Sequence, residues 1–195
     1  MHLIVGLGNP GKEYMETRHN VGWTMLAHFI EHEGLPSCVL SAKYSAQIST
    51  GVVKEKDVFV MLPQTYMNRS GIAVKKAFMR DKDVHPTLIV VYDDIDLPVG
   101  SIKISHGRGA GGHNGVQSII DTLGTKEFTR VRVGIGQKGI LEVIRRPRGE
   151  ALSKYVLGEF TKSEQEVLKE VSARVHAALI LIVTEGVAAA MNALN

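Results

Sequence analysis

The sequence predicts an α/β fold, a single domain over residues 1–195 with a central mixed β-sheet flanked by helices. Three observations carry that expectation. Short apolar or β-branched runs bounded by Gly, Pro, Asp or Lys recur at residues 3–5, 58–62, 88–91 and 131–135, the pattern of strands buried on both faces. Stretches with apolar residues at helical spacing alternate with them, and such alternation builds a sheet covered by helices. A chain of 195 residues that is 44% hydrophobic suits one core and falls short of two.

Taken in order, residues 3–5 form the first buried strand and a long polar loop follows. Helical periodicity begins at Val21 and runs through residues 21–33, stopping at Gly34. Residues 45–53 and 58–62 read as strands, 70–79 as a helix, 88–91 and 101–104 as strands, 116–123 as a helix and 131–135 as a strand. The Gly/Arg-rich stretch 136–149 reads as a mobile loop, within a wider segment 137–158 whose opening and closing the sequence leaves undecided. Residues 163–190 give one or two final helices, with Ser163 as the expected N-cap. No internal repeat or low-complexity linker interrupts this order.

Composition excludes several function classes. The one cysteine, Cys38, forbids an intramolecular disulfide and suits a reducing, cytoplasmic compartment. No charged-then-apolar leader precedes the first strand and no apolar run approaches the roughly 20 residues that cross a bilayer, so a soluble, unprocessed protein is expected. The net charge of +3 is unevenly spread: residues 98–148 carry nine Lys/Arg against three Asp/Glu. Lys103, Arg108, Lys126, Arg130, Arg132, Lys138, Arg145, Arg146 and Arg148 form either a solvated basic face or the footprint of a polyanion.

Gly6, Gly8 and Gly11 have the literal spacing of a dinucleotide fingerprint directly after a strand. That motif needs the helix to start within the glycines, so that backbone N–H groups face a pyrophosphate. Here Pro10 removes a donor, and no apolar stripe appears before Val21. The acidic residue at the required distance, Glu31, lies inside a helix pattern instead of ending a second strand. These departures make the nucleotide reading the weaker one. What remains is a polar loop at the carboxyl end of a strand, carrying Asn9, Tyr14, Arg18, His19 and Asn20; a lone histidine there is by itself more often a cap or surface residue than a catalyst.

Two further polar clusters follow buried strands. In QTYMNRSG, Asn68 stands before a helix pattern, where Asn most often caps. In VVYDDIDLPVG, Asp93, Asp94 and Asp96 resemble a calcium loop, but its sixth and twelfth places hold Pro98 and Ile104, so metal binding is not expected. A single carboxylate at a strand end can instead orient and polarise a histidine. A glycine-rich segment ending in GGHNG places His113 and Asn114 at a helix start, where backbone can approach a ligand closely. It lacks the Walker Lys-Ser/Thr, Ser70 lies in no Gly-x-Ser-x-Gly elbow, and Cys38 has no nucleophile context.

Together GLGNPGKEYMETRHNVG, TYMNRSG, DDIDLPVG, GGHNG and RVRVGIG, with a weaker continuation in YVLGEF at residues 155–160, resemble the bacterial-type peptidyl-tRNA hydrolases in order and spacing over residues 3–136. The resemblance implies a monomer with a twisted mixed sheet that cleaves the ester of peptidyl-tRNA, releasing peptide and free tRNA and recycling tRNA from aborted translation. It implies no cofactor and no metal. His19 takes the part of the general base and Asp93 of the carboxylate that orients it. Asn9, Asn68 and Asn114 correspond to amides that bind the peptide and the tRNA 3′ end or position water, while Tyr14 and Met67 line the crevice; His113 is given no chemical step. The two-residue basic clamp of some members is matched at Lys103 but replaced by Ser105 at its second place, leaving Arg108 to compensate, with Arg132 on the neighbouring strand. Two readings compete: a non-catalytic RNA-binding relative, and a nucleotide-dependent oxidoreductase.

Overall fold

The computed structural model describes residues 1–80, 85–137 and 146–195. The elements in chain order are β1 (His2–Gly6), α1 (Val21–His32), β2 (Val39–Ser41), β3 (Ala46–Val53), β4 (Lys56–Pro63), α2 (Ser70–Phe78), β5 (Thr87–Pro98), β6 (Ile102–His106), α3 (Asn114–Leu123), β7 (Thr129–Gly136), α4 (Glu150–Val156), α5 (Lys162–Thr184) and α6 (Val187–Leu194). Single 3₁₀ turns at Lys12–Tyr14, Arg18–Asn20 and Met67–Arg69 fill the loops after β1 and β4.

The seven strands form one mixed sheet in the order β2-β3-β4-β1-β5-β7-β6. β1 lies parallel to β4 and β5, and β5 parallel to β7; the β2-β3-β4 flank and the β6 edge are antiparallel. Parallel strands covered on both faces read as continuous apolar runs because alternate side chains enter different cores. Ile4 packs in the core beneath α1 and α5, whereas Leu3 and Val5 enter the one beneath α2 and α3. Truncating any one of them to Ala would cost about 2–5 kcal/mol.

The first glycine cluster brings backbone close to backbone. A Cβ on Gly22 would stand 2.7 Å from the backbone of Leu7, one on Gly6 2.6 Å from the Gly22 carbonyl, and one on Gly8 2.7 Å from the Trp23 ring. The glycines thus seat the start of α1 on the carboxyl end of β1 with no room for a pyrophosphate between them, which accounts for the pattern without a nucleotide.

Several boundaries differ from expectation. β5 continues seven residues past the apolar run that announces it, carrying Asp93, Asp94 and Asp96 inside the strand, with a register shift before Pro98. β2 has three residues, two of them exposed, and α4 buries none, so neither presents a hydrophobic pattern. The N-cap of α5 is Thr161, not Ser163. Thr161 Oγ1 accepts from the Glu164 N–H while the Glu164 carboxylate accepts from the Thr161 N–H, a reciprocal box that Ser163, one residue into the helix, does not make. Nor is Asn68 a cap: it lies within the 3₁₀ turn, and α2 starts without a side-chain cap. The last helical stretch breaks at Gly186, whose φ of +93° favours glycine, and resumes as α6. Of the stretch expected to be a mobile loop, residues 138–145, with Lys138 and Arg145, lie outside the described residues.

Candidate active site

The carboxyl ends of β1 and β5 and the start of α3 meet around His19. The 3₁₀ turn that carries it is held from one side by Arg18, whose side chain is buried. The Arg18 guanidinium donates to Glu164 Oε2 at 2.9 Å and lies 4.6 Å from the Tyr155 ring centroid and 5.3 Å from that of Phe160. Its backbone N–H donates to the Gly158 carbonyl at 2.9 Å, and Thr17 bridges to Glu159. A residue from the loop after the first strand is thereby locked to α4, α5 and the turn between them, and the next side chain, His19, is aimed inward.

His19 Nδ1 lies 2.9 and 3.0 Å from the two oxygens of Asp93, which is 3% exposed. The same carboxylate receives a second imidazole, with His113 Nε2 at 2.9 Å from Oδ1. His113 is the N-cap of α3, and its Nδ1 accepts from the N–H groups of Gly115 and Val116 at 3.2 and 3.3 Å. Those two donors determine its tautomer: Nδ1 carries a lone pair, so the proton sits on Nε2 and points at Asp93. With Asp93 ionised, His19 donates through Nδ1–H and keeps Nε2 as a free base.

Electrostatics follow from this arrangement. At His19, burial opposes the imidazolium, but the Asp93 charge and hydrogen bond outweigh it and raise the pKa above the usual value. Burial alone would push Asp93 up, yet His19 and His113 hold it well below the usual carboxylate range. Donor atoms of His19, Asp93 and His113 lie within 4.8 Å of one another, near enough for a cation to be considered. The His113 tautomer opposes that use, since its Nδ1 is engaged by the helix and its Nε2 proton occupies the carboxylate.

Beside the histidine, two asparagines interlock. The Asn9 N–H donates to Asn20 Oδ1 at 2.8 Å, Asn20 Nδ2 donates to the Asn9 carbonyl at 3.0 Å, and Asn9 Oδ1 accepts the Met67 N–H at 2.8 Å. The last bond orients the Asn9 carboxamide and leaves its Nδ2 as the donor with capacity to spare. Met67 is buried against Gly115, where a Cβ would come 2.5 Å from its sulfur.

A cleft of about 700 Å³ opens over these groups, and its walls include His19, Asp93, Lys103, Arg108, Asn114 and Arg132. Asn9, Tyr14, Met67 and Asn68 are not among its lining residues. Asn9 and Met67 join it through Asn20, the neighbour of His19; Asn68 is exposed beside Met67, and Tyr14 is half-buried in the first 3₁₀ turn.

The basic residues divide by environment. Lys103 on β6 stands opposite Arg132 on β7, and Ser105 opposite Arg130. Lys103 and Arg108 are exposed, whereas Arg132 Nε donates to Asp94 Oδ2 at 2.6 Å. Arg146 pairs with Asp96 at 2.8 Å and donates to the Gly111 carbonyl at 2.7 Å. Arg130 does not belong to the basic face at all. It is 1% exposed, lies against the Phe128 ring and donates to the carbonyls of Arg108 and Gly109, bracing the glycine-rich segment from within. The three aspartates that resemble a metal loop therefore serve three different partners: imidazoles at Asp93, and guanidinium groups at Asp94 and Asp96.

Sequence reasoning passed over the grip of Arg18 on Glu164, the Asn20 tie and the second imidazole on Asp93. Only the last left a signal: a histidine at the N-cap, whose one ring nitrogen is taken by the helix, must direct the other elsewhere.

Comparison with known proteins identifies the family and the fold. The family model described as peptidyl-tRNA hydrolase matches residues 3–195. A curated peptidyl-tRNA hydrolase of Syntrophotalea carbinolica is 41% identical over 196 residues, covering 100% of this chain and 97% of the relative. One from Chloroflexus aggregans is 43% identical over 198 residues, covering 100% and 99%. The crystal structure of peptidyl-tRNA hydrolase from Acinetobacter baumannii superposes with a TM-score of 0.87 at 33% identity, covering 98% of this chain and 93% of that one. A match over nearly the whole length at this identity, on the same fold, makes the chain a hydrolase belonging to the peptidyl-tRNA hydrolase family.

Proposed function

We propose that this chain hydrolyses the ester joining a peptide to the terminal ribose of tRNA, and so recycles tRNA from aborted translation. The observation that carries the proposal is the buried Asp93 carboxylate directing the His19 imidazole, with Nε2 left as a base, into a cleft edged by Lys103 and Arg108. His19 Nε2 takes a proton from water as the water oxygen attacks the ester carbonyl, and Asp93 stabilises the imidazolium that forms. The tetrahedral oxyanion collapses, the bond to the ribose oxygen breaks, and His19 returns the proton to that oxygen. Water is thereby added across the ester.

Neutral amides suit the rest of the task, because a substrate with varied side chains offers only its backbone in common. Asn9 Nδ2, held by the bond from the Met67 N–H, and the exposed Asn68 and Asn114 are assigned to the peptide, the 3′ end and the attacking water; Tyr14 and Met67 shape the peptide side. Lys103 and Arg108 are assigned to tRNA phosphates. Arg132, paired with Asp94, adds donors without a full net charge. No cofactor or metal enters this scheme, and the protein is assigned to the cytoplasm as a monomer.

Labelled N-acetyl-aminoacyl-tRNA tests the reading. His19→Ala should lower kcat by about 10² or more while tRNA binding persists, since general-base catalysis contributes about 10² to 10⁴. Turnover of that variant at near wild-type rates would remove His19 from the mechanism.

A further inference from the structure

A second histidine cluster lies outside the cleft, where the C-terminal end of α1 meets α5. His176 Nε2 of α5 lies 2.6 Å from Glu33 Oε1, and His32 Nδ1, on the last residue of α1, lies 3.7 Å from the same oxygen. The two imidazoles face each other with ring centroids 4.1 Å apart, and the His176 ring also packs 5.7 Å from that of Phe29. One donor atom from each residue falls within 4.8 Å of the others.

We propose that His32, Glu33 and His176 form an interhelical site for a divalent transition metal of borderline softness such as Zn²⁺, with water in the fourth position. Imidazole and carboxylate bind Zn²⁺ at about 2.0–2.2 Å in tetrahedral geometry, which separates neighbouring donor atoms by roughly 3.4 Å. The two separations from Glu33 Oε1, 2.6 and 3.7 Å, straddle that value, and all three donor atoms lie within 4.8 Å of one another, so side-chain shifts on the order of an ångström bring the three groups onto one ion. Glu33 is the C-cap residue of α1, its backbone N–H engaged by Phe29 and Glu31, and the adjoining helix end attracts cations. His176 is half-buried and His32 exposed, an arrangement of two preset ligands and one that closes from solvent. Positions one turn away on α5 are Ser172, Ala173, Leu179 and Ile180, so that helix sets no like charge beside the ion. The site uses nothing from the hydrolytic centre and does not depend on the proposed reaction.

The test titrates the whole protein with Zn²⁺ alone, against a chromogenic chelator and by thermal melting. Wild type should take up an equivalent of zinc at micromolar concentration with a rise in Tm, because an ion held by two helices stabilises the native state by mass action. His32→Ala and His176→Gln should each weaken that equivalent by about tenfold or more and remove the Tm rise, since even groups outside the ligand shell change metal affinity by 10–100-fold. His32 is exposed, so the metal-free Tm of His32→Ala should match wild type. His19→Ala controls for the cluster in the cleft and should retain the equivalent. No saturable uptake by wild type would overturn the site, as would uptake unchanged in His32→Ala or lost in His19→Ala. Loss in His28→Ala without loss in His176→Gln would place the ion on α1 alone and equally overturn it.

Discussion

Replacing Asp93 by Asn tests more of the structure than any other single change. The carboxylate accepts from His113 Nε2 through Oδ1 and from His19 Nδ1 through both oxygens, and a carboxamide that keeps its oxygen with His113 sets an NH₂ donor where Oδ2 faced His19. His113 cannot adapt, because its Nδ1 is held as an acceptor by the Gly115 and Val116 N–H groups. The carboxamide oxygen therefore stays with His113 and the NH₂ takes the place of Oδ2, 3.0 Å from His19 Nδ1, where it favours the tautomer with the proton on Nε2 and removes the base. The imidazolium also loses its counter-charge. Unit charges about 4 Å apart in surroundings of intermediate dielectric attract by about 4 kcal/mol, which corresponds to roughly 10³ in rate. The expected outcome is a kcat on N-acetyl-aminoacyl-tRNA lowered by about 10³, with smaller losses for Asp94→Asn and Asp96→Asn, which pair with Arg132 and Arg146. Adding His113→Leu to Asp93→Asn should restore part of the rate, because the carboxamide oxygen is then released to His19. Asp93→Asn within tenfold of wild type, with its fold intact by circular dichroism, would refute the assignment; a double variant no faster than the single one would refute the tautomer argument.

The pH dependence follows from the raised His19 pKa: kcat/KM should climb with pH with an apparent pKa above the ordinary histidine value near 6.5, and a midpoint below it would contradict the Asp93 pairing. The linked stability has the opposite sense. The pair contributes fully below the unfolded pKa and its contribution fades as pH rises through the folded one, so the Tm gap between wild type and His19→Ala should narrow in mild alkali. Lys103→Ala and Arg108→Ala should each raise KM for peptidyl-tRNA and remove roughly one unit from its salt slope, leaving a minimal ester substrate unaffected; an unchanged slope in Arg108→Ala alone would leave Lys103 as the single contact. Arg18→Ala breaks an ion pair whose side chains are 7% and 14% exposed and should cost about 3 kcal/mol, read as a Tm loss of roughly 10 °C, which Arg18→Lys should not fully recover because a lysine cannot lie flat on Tyr155.

What the sequence reveals, and what it hides, follows from burial. β1, β4 and β5 are legible because both faces are covered, leaving apolar runs with no polar interruption, and β7 is legible from Val131, Val133 and Ile135 in spite of Arg130 and Arg132. β2 and α4 are illegible because the first has three residues and the second buries none. The reach of β5 through Asp93 to Pro98 is hidden for a related reason: carboxylates in a strand look like a loop until their partners are known. In the site, His19 and Asp93 could be marked as a pair by motif order, although 74 residues separate them. The burial of Arg130 could not. Its charge is legible in the sequence, but its enclosure depends on Phe128 and on carbonyls of a glycine-rich segment more than 20 residues away in the chain.

The grip of Arg18 on Glu164 bears on the order in which the molecule becomes competent during its own synthesis. The turn that aims His19 is completed by Tyr155, Gly158, Phe160 and Glu164, and the ion pair closes a loop spanning 146 residues. Local structure around β1 and α1 can form early, but contacts so distant in sequence form late, after the entropy of closing the loop has been overcome. Until those residues have been made the chain carries a histidine that is present yet unbraced, and during that interval it is itself a peptide attached to a tRNA. On the proposed function, the catalyst that severs such esters is thus assembled only after residue 164 has been made, and a shorter nascent chain lacks the brace its histidine needs.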